Sequence, residues 1–84
     1  MSQHLVTPGH CRSLGARMEG DGVNFAIWGR FAREMELLLF SSADDIAPEV
    51  ITLHAPHHRS GYSWHVHVSG PQPGQLYRWR VPSL

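Results

Sequence analysis

Alternation of apolar and polar side chains with a period of two runs through most of this chain and constrains its fold more than any other feature. No helical periodicity is sustained for even three turns. Successive side chains of a strand point to opposite faces, so this alternation predicts strands with one face in a core. The spacing of the segments is typical of an all-β sandwich. The predicted strands are GVNFAIWG, EMELLLF, EVITLH, YSWHVHVS and GQLYRWRV.

Turn-forming residues separate these strands. The EGDG stretch at 19–22 precedes the first strand and offers an Asp-Gly pair, which accepts a positive φ. Pro71 and Pro73 cannot donate ladder hydrogen bonds, so the connection before the last strand must be a loop. The GRFARE stretch at 29–34 fits either a short bulge or a single helical turn.

The last two strands each have one apolar face and one polar face. The positions predicted to face inward are Trp64, Val66 and Val68 in the one strand and Tyr77, Trp79 and Val81 in the other. The positions predicted to face solvent are His65, His67, Arg78 and Arg80.

The first two strands are apolar on both faces. Val23, Phe25 and Ile27 point one way and Asn24, Ala26 and Trp28 the other; Leu37 and Leu39 oppose Leu38 and Phe40 in the same manner. We interpret the two as neighbouring strands whose outer face is covered by something beyond this chain. Three roles for Trp28 stay open: it belongs to a second buried face, it is a platform for a ligand, or it is a dock for another domain.

Composition excludes several classes of partner. Lys+Arg and Asp+Glu are 7 each, giving a formal net charge of +0, which argues against nucleic acid and against a membrane surface. A chain of 84 residues predicts one small domain. Cys11 is the single cysteine, and no secretory or membrane-spanning segment is visible, so we expect a cytoplasmic protein without an internal disulfide.

Three residue pairs are of types found in metal or catalytic sites, but none of them predicts such a site. His65 and His67 share a strand face and could offer two imidazoles to a metal, with His57 and His58 as a loose source of a third ligand. Asp44 and Asp45 are adjacent in a turn, where their side chains diverge, and Cys11 follows His10 directly. We therefore expect no catalytic residues, no metal and no cofactor, and favour a binding or packing role.

Ordered motifs over residues 13–81 resemble the N-terminal β-sandwich of isoamylase-type glycogen debranching enzymes, a module grouped with carbohydrate-binding class 48. Ser13 stands where that family usually has proline. The matching motifs are Leu14-Gly15-Ala16, Gly22-Val23-Asn24-Phe25, Ala32, Met35-Glu36-Leu37, Trp64-His65, and Pro73-Gly74 followed by Tyr77 and Arg80-Val81.

This resemblance implies an immunoglobulin-like sandwich over residues 13–82, preceded by a lead-in arm at 1–12. In the family it precedes a (β/α)-barrel that hydrolyses α-1,6 branch linkages and carries the catalytic carboxylates. That barrel is absent here, so the chain is expected not to be an enzyme, and to be an excised domain or a remnant. Its expected role is to pack on the barrel of a parent enzyme and to help orient branched glucan.

Two sets of site residues are predicted, one from the resemblance to glycogen-binding modules and one from the apolar outer faces of the first two strands. In related glycogen-binding modules a tryptophan and a lysine hold the sugar; here the tryptophan position falls near Asp44 and Arg78 replaces the lysine. Trp28, Arg78 and Arg80 are the candidate carbohydrate-binding residues, and Trp28, Leu38 and Phe40 are the candidate docking surface. An exposed docking surface predicts self-association at high concentration.

Two other functions stay open. The chain could be a free-standing, weak glucan-binding module. It could also be the N-terminal module of a trehalose-releasing hydrolase, although Gly29 and Arg30 after Trp28 fit that pattern poorly.

Overall fold

Strands, turns and loops make up the described part of the chain, which in the computed structural model comprises residues 5–30, 32–71 and 74–82. The strands are β1 (Val6–Thr7), β2 (Gly15–Glu19), β3 (Gly22–Trp28), β4 (Met35–Phe40), β5 (Glu49–Leu53), β6 (Arg59–Ser60), β7 (Ser63–Ser69) and β8 (Leu76–Arg80). All the predicted strands are present, as β3, β4, β5, β7 and β8. The additional strands are short or largely exposed, so their sequences carry no clear alternation.

Two antiparallel sheets form the fold. Sheet A has the order β1-β7-β3-β2, with β6 also paired to β7, and sheet B has the order β5-β4-β8. Their inner faces meet in one apolar core. The predicted all-β sandwich is therefore confirmed.

Trp64 is the largest fully buried side chain of this core. It is 0% exposed, its indole Nε1–H donates to the Gly29 carbonyl oxygen at 3.3 Å, and the Arg59 guanidinium lies 5.1 Å from its ring. The rest of the core comprises Val23, Phe25, Met35, Leu37, Leu39, Ile51, Leu53, Val66 and Val68. The predicted inward row of β7 is confirmed.

The expectation that the first two predicted strands are neighbours is wrong. β3 pairs with β2 and β7 in sheet A, whereas β4 pairs with β5 and β8 in sheet B. Residues 29–34 carry the chain from one sheet to the other, with Ala32 N–H donating to the Gly29 carbonyl oxygen at 3.3 Å. A period of two identifies which side chains share a face, but it does not identify the neighbouring strand.

The chain itself covers part of the outer face of sheet A, and no outside partner is needed there. Residues 8–10, here called the strap, cross this face. Asn24 is 0% exposed beneath them: its Oδ1 accepts from the His10 N–H and its Nδ2 donates to the His10 carbonyl, both at 3.0 Å. Gly9 has φ 68°, and a Cβ there would lie 2.6 Å from Asn24 Oδ1, so only glycine fits. Part of the outer face of β3 is thus buried beneath the strap.

Replacing Asn24 by alanine is expected to loosen the strap. The His10 N–H and carbonyl would lose their partners next to a buried strand, which costs about 1–3 kcal/mol in the free energy of unfolding. Urea unfolding of Asn24→Ala measures this cost. Thr52→Ala, a change at an exposed position of β5, is the control, and an equal effect of the two changes would contradict the role given to Asn24.

Candidate functional site

An apolar groove of about 460 Å³ opens between the two sheets at one end of the sandwich. We call it the end groove. Sheet A contributes Ile27 and Trp28 from the end of β3, and sheet B contributes Met35 and Trp79. Among the described residues, the lining is Ile27, Trp28, Gly29, Arg30, Ala32, Met35, Trp79 and Val81.

Two exposed aromatic side chains stand at this end of sheet A. Trp28 is 57% exposed and Tyr62 is 50% exposed, and their rings meet edge to face at 6.3 Å. The Arg30 guanidinium lies 5.2 Å from the Tyr62 ring. Gly29 N–H donates to the Tyr62 carbonyl at 2.7 Å, so backbone bonding holds the two loops together. Exposed aromatic rings beside arginine are the side chains most often found at the energetic centres of interfaces.

The sequence indicated only part of this cluster. Strand parity singles out Trp28, whereas nothing in the alternation singles out Tyr62 or Arg30 as a site residue. Both lie in loops next to strand ends, where alternation carries no information about exposure. Gly61, which directly precedes Tyr62, has φ 62° in a tight turn, and this glycine is the feature of the sequence that indicates the turn.

The candidate docking residues do not form one surface. Trp28 lies at the end of sheet A, whereas Leu38 and Phe40 lie on the outer face of sheet B. Leu38 is only 6% exposed, since Val50 and Arg78 flank it on the neighbouring strands. Trp28 is therefore exposed at a place where neither Leu38 nor Phe40 lies beside it.

The candidate carbohydrate-binding residues are also divided. Arg78 and Arg80 share the outer face of sheet B, whereas Trp28 lies at the end of a strand of sheet A. The Arg78 guanidinium lies 5.9 Å from the Phe40 ring, and Arg80 Nε donates to Glu36 Oε1 at 2.7 Å. Both arginines are therefore engaged with the adjacent β4.

A second groove of about 350 Å³ lies beside the loop that follows β4, and Asp45 is part of its lining. The Asp45 carboxylate accepts hydrogen bonds from the Ser41 N–H and hydroxyl and from the Ala47 N–H, at 2.9–3.0 Å. These bonds, with the backbone N–H of Ser41 first, hold the pKa of Asp45 below its ordinary value. Asp45 organises this loop and offers no aromatic surface to a sugar.

The prediction of a solvated histidine face on β7 is wrong for His65, which is 4% exposed because the strap lies over it. Its Nδ1–H donates to the Pro8 carbonyl at 2.7 Å, and its Nε2 accepts from the Ser60 hydroxyl at 2.8 Å. His67 donates through Nε2 to the Glu19 carbonyl at 2.8 Å. Within residues 5–30, 32–71 and 74–82, no three His, Cys, Asp or Glu side chains are grouped as metal ligands.

His10 is paired with Glu19 and is not available to Cys11. Its Nε2 lies 2.7 and 2.8 Å from the two carboxylate oxygens, and its Nδ1 accepts from the Arg12 N–H at 3.3 Å. The hydrogen bond from His10 lowers the pKa of Glu19. Both ring nitrogens of His10 thus have partners other than the thiol.

Burial lowers the pKa of His58, and repulsion from His54 and His65 adds to this shift. The unfolded chain therefore takes up a proton at this position before the folded chain does. As the pH falls below 6.5, the ordinary value, stability is lost, and this loss ends once the pH is below the lowered folded value.

His58→Gln is expected to flatten the pH dependence of stability on the acid side of neutrality, since glutamine does not titrate. Urea unfolding at several pH values between about 7 and 5, around the ordinary histidine pKa, measures the slope. His57→Gln, at an exposed neighbouring position, is the control. A slope that is the same in His58→Gln and the unchanged protein would count against the assignment.

Comparison with known protein families identifies the family of this domain. Residues 13–83 match the family described as carbohydrate-binding module 48, the isoamylase N-terminal domain. The chain belongs to this family. Its sandwich is accordingly of the immunoglobulin-like type that the sequence motifs implied.

Three relatives show how this module occurs in longer proteins. The chain is 41% identical over 76 residues to a glycogen debranching enzyme of Serratia proteamaculans, covering 90% of this chain and 11% of the relative. It is 40% identical over 77 residues to a glycogen debranching enzyme of Yersinia enterocolitica, with 90% and 11% covered. It is 36% identical over 76 residues to a glycogen operon protein GlgX homolog of Mycobacterium tuberculosis, with 90% and 10% covered.

The chain therefore spans about a tenth of the length of these curated relatives. In the described part of this carbohydrate-binding module 48 domain, no helix is long and apolar enough to cross a membrane.

Proposed function

We propose that this domain is an accessory domain of a glycogen debranching enzyme and that it packs against the catalytic domain through the end groove. The observation that carries the proposal is the exposure of Trp28, at 57%, on the rim of an apolar opening between the sheets. The relatives' names and the one-tenth coverage support a parent enzyme of this kind. Debranching then belongs to the rest of that enzyme, in the cytoplasm, and this domain contributes position and stability.

The chemistry of the end groove fits a protein surface better than a sugar. Its described lining is apolar apart from Arg30, the indole N–H groups of Trp28 and Trp79 and backbone groups, and a glucan presents many hydroxyls that need hydrogen-bond partners. A partner side chain inserted between Trp28 and Trp79 would be enclosed by both sheets. Central, well-packed anchors of this kind contribute most of the binding energy at protein interfaces.

A chimeric enzyme tests the docking role. The matched segment of the Serratia proteamaculans enzyme is exchanged for this chain, and Trp28→Ser is introduced. We expect the change to weaken coupling between the domains by about 2 kcal/mol, as for a central interface tryptophan. Differential scanning calorimetry should show the domains unfolding together in the parent chimera and separately in the variant.

Val50→Ser is the matched control, since Val50 is 44% exposed on the outer face of sheet B, away from the end groove. Debranching activity on amylopectin is measured in all three proteins. Coupled unfolding that survives Trp28→Ser, or is lost equally with Val50→Ser, would rule out docking through the end groove.

A second candidate function is weak binding of α-glucan on the outer face of sheet B. One observation favours it: the Arg78 guanidinium, the Phe40 ring and Leu76, which is 44% exposed, form an apolar surface with a hydrogen-bond donor beside it. A sugar presents apolar C–H groups and hydroxyls in the same combination. Arg80 is a weaker candidate because it already pairs with Glu36.

Titration of the 84-residue chain with maltoheptaose checks this second function. Amide chemical shifts of β4 and β8 are expected to move at millimolar ligand, and Arg78→Ala should abolish the movement. Trp28→Ser, at the other site, should leave it intact. Unchanged β4 and β8 amide shifts at millimolar ligand would remove glucan binding on this face from consideration.

A further inference from the structure

The inner face of sheet A extends beyond sheet B on one side. The rings of Phe25 and Tyr77 meet at 4.9 Å, which places β8 opposite β3, while β5 faces β7. In sheet A the strand after β3 is β2. Sheet B has no strand opposite β2 in the part of the chain that the structure describes.

The inner-face side chains of β2 are exposed because no described strand of sheet B lies opposite them. Ala16 is paired with Phe25 and Met18 with Val23, so both share the inner face with core residues. Phe25 and Val23 are 1% and 5% exposed, yet Met18 is 46% exposed and Ala16 is exposed as well. Inner positions are therefore open to solvent along the length of β2.

The same opening is seen from sheet B. Tyr77 and Trp79 are paired with Leu39 and Leu37 and so face the interior, as predicted, but Tyr77 is 37% exposed and Trp79 only partly buried. Val81, also predicted to face inward, is 57% exposed beyond the end of β8. The predicted inward row of this strand thus lines the open side of the sandwich.

The other edge of sheet B shows that this opening is specific to β8. The inner positions of β5 are Ile51 and Leu53, which are 7% and 0% exposed. A strand added beside β5 would bury little. A strand added beside β8 would cover Tyr77, Trp79 and Met18 while pairing with an edge that has no strand partner among the described residues.

We propose that the free edge of β8 accepts a further antiparallel strand, which lies opposite β2 and completes sheet B. The strand is an extended segment with apolar side chains at alternate positions, supplied by the polypeptide that follows this domain in a parent enzyme. In this respect the inference rests on the proposed function. Backbone hydrogen bonds to β8 provide affinity. Alternate side chains of the added strand enter the uncovered space over the inner face of β2 beside Met18, here called the slot, and these contacts provide specificity.

The position of the edge identifies this occupant. The family is described as an N-terminal domain, so in its longer members most of the polypeptide follows the module. β8 is the last strand among the described residues, and it ends at Arg80. A segment that turns back there reaches the edge through a short hairpin connection, as antiparallel neighbours allow.

Hydrogen–deuterium exchange of the β8 amides tests the inference. The 84-residue chain is compared with the same chain extended by the segment that directly follows the matched region in the Serratia proteamaculans enzyme. We expect the extension to slow exchange of the β8 edge amides at least tenfold. Met18→Lys, which places a charge in the slot, should remove this protection.

Val50→Lys is the matched control, because it puts the same charge at a similarly exposed position on the outer face of sheet B, and it should keep the protection. Exchange that the extension does not slow, or slows equally in Met18→Lys, would overturn the inference. Protection in the unextended chain that rises with protein concentration would also overturn it, since a second copy would then occupy the edge. No catalytic domain is present in this experiment, so its failure leaves the docking test at Trp28 unaffected.

Discussion

The antiparallel pairing of β3 with β7 is the interaction on which the rest of the structure depends. Its register places Phe25 opposite Val66 and Ile27 opposite Trp64, so the largest core side chains lie side by side on one sheet. The two backbones approach so closely at one end that a Cβ on Gly22 would overlap the Val68 carbonyl oxygen. The core, the strap and both exposed aromatic rings are positioned from this pair.

Polar groups on the outer face of the same pair hold the strap in place. Asn24 and His65 lie on neighbouring strands and are both buried, and each bonds a backbone group of the strap. A buried polar side chain needs a defined partner, and the strap backbone supplies it at both positions. Sheet A is therefore partly covered on its outer face as well as on its inner face.

The surfaces proposed to be functional lie where that covering ends. Sheet B has fewer strands than sheet A, which leaves inner-face side chains of β2 and β8 in solvent and opens the end groove near Trp28. Small domains bury a smaller fraction of their surface than large ones. Apolar side chains that stay exposed at the edges of the two sheets are therefore suited to contact with a larger protein. The end groove and the β8 edge are adjacent, which allows one parent enzyme to engage both.

Local sequence determined the strands β3, β4, β5, β7 and β8 and the residues that share each face, because backbone alternation imposes a period of two on a strand. It also carried the family motifs. The sequence did not determine that β3 and β4 lie in different sheets, that the strap buries His65, or that Tyr77, which faces inward as predicted, stays 37% exposed. These depend on which strands become neighbours and on how far one sheet extends past the other. Such properties arise from contacts between residues distant in the chain, and only the tertiary structure decided them.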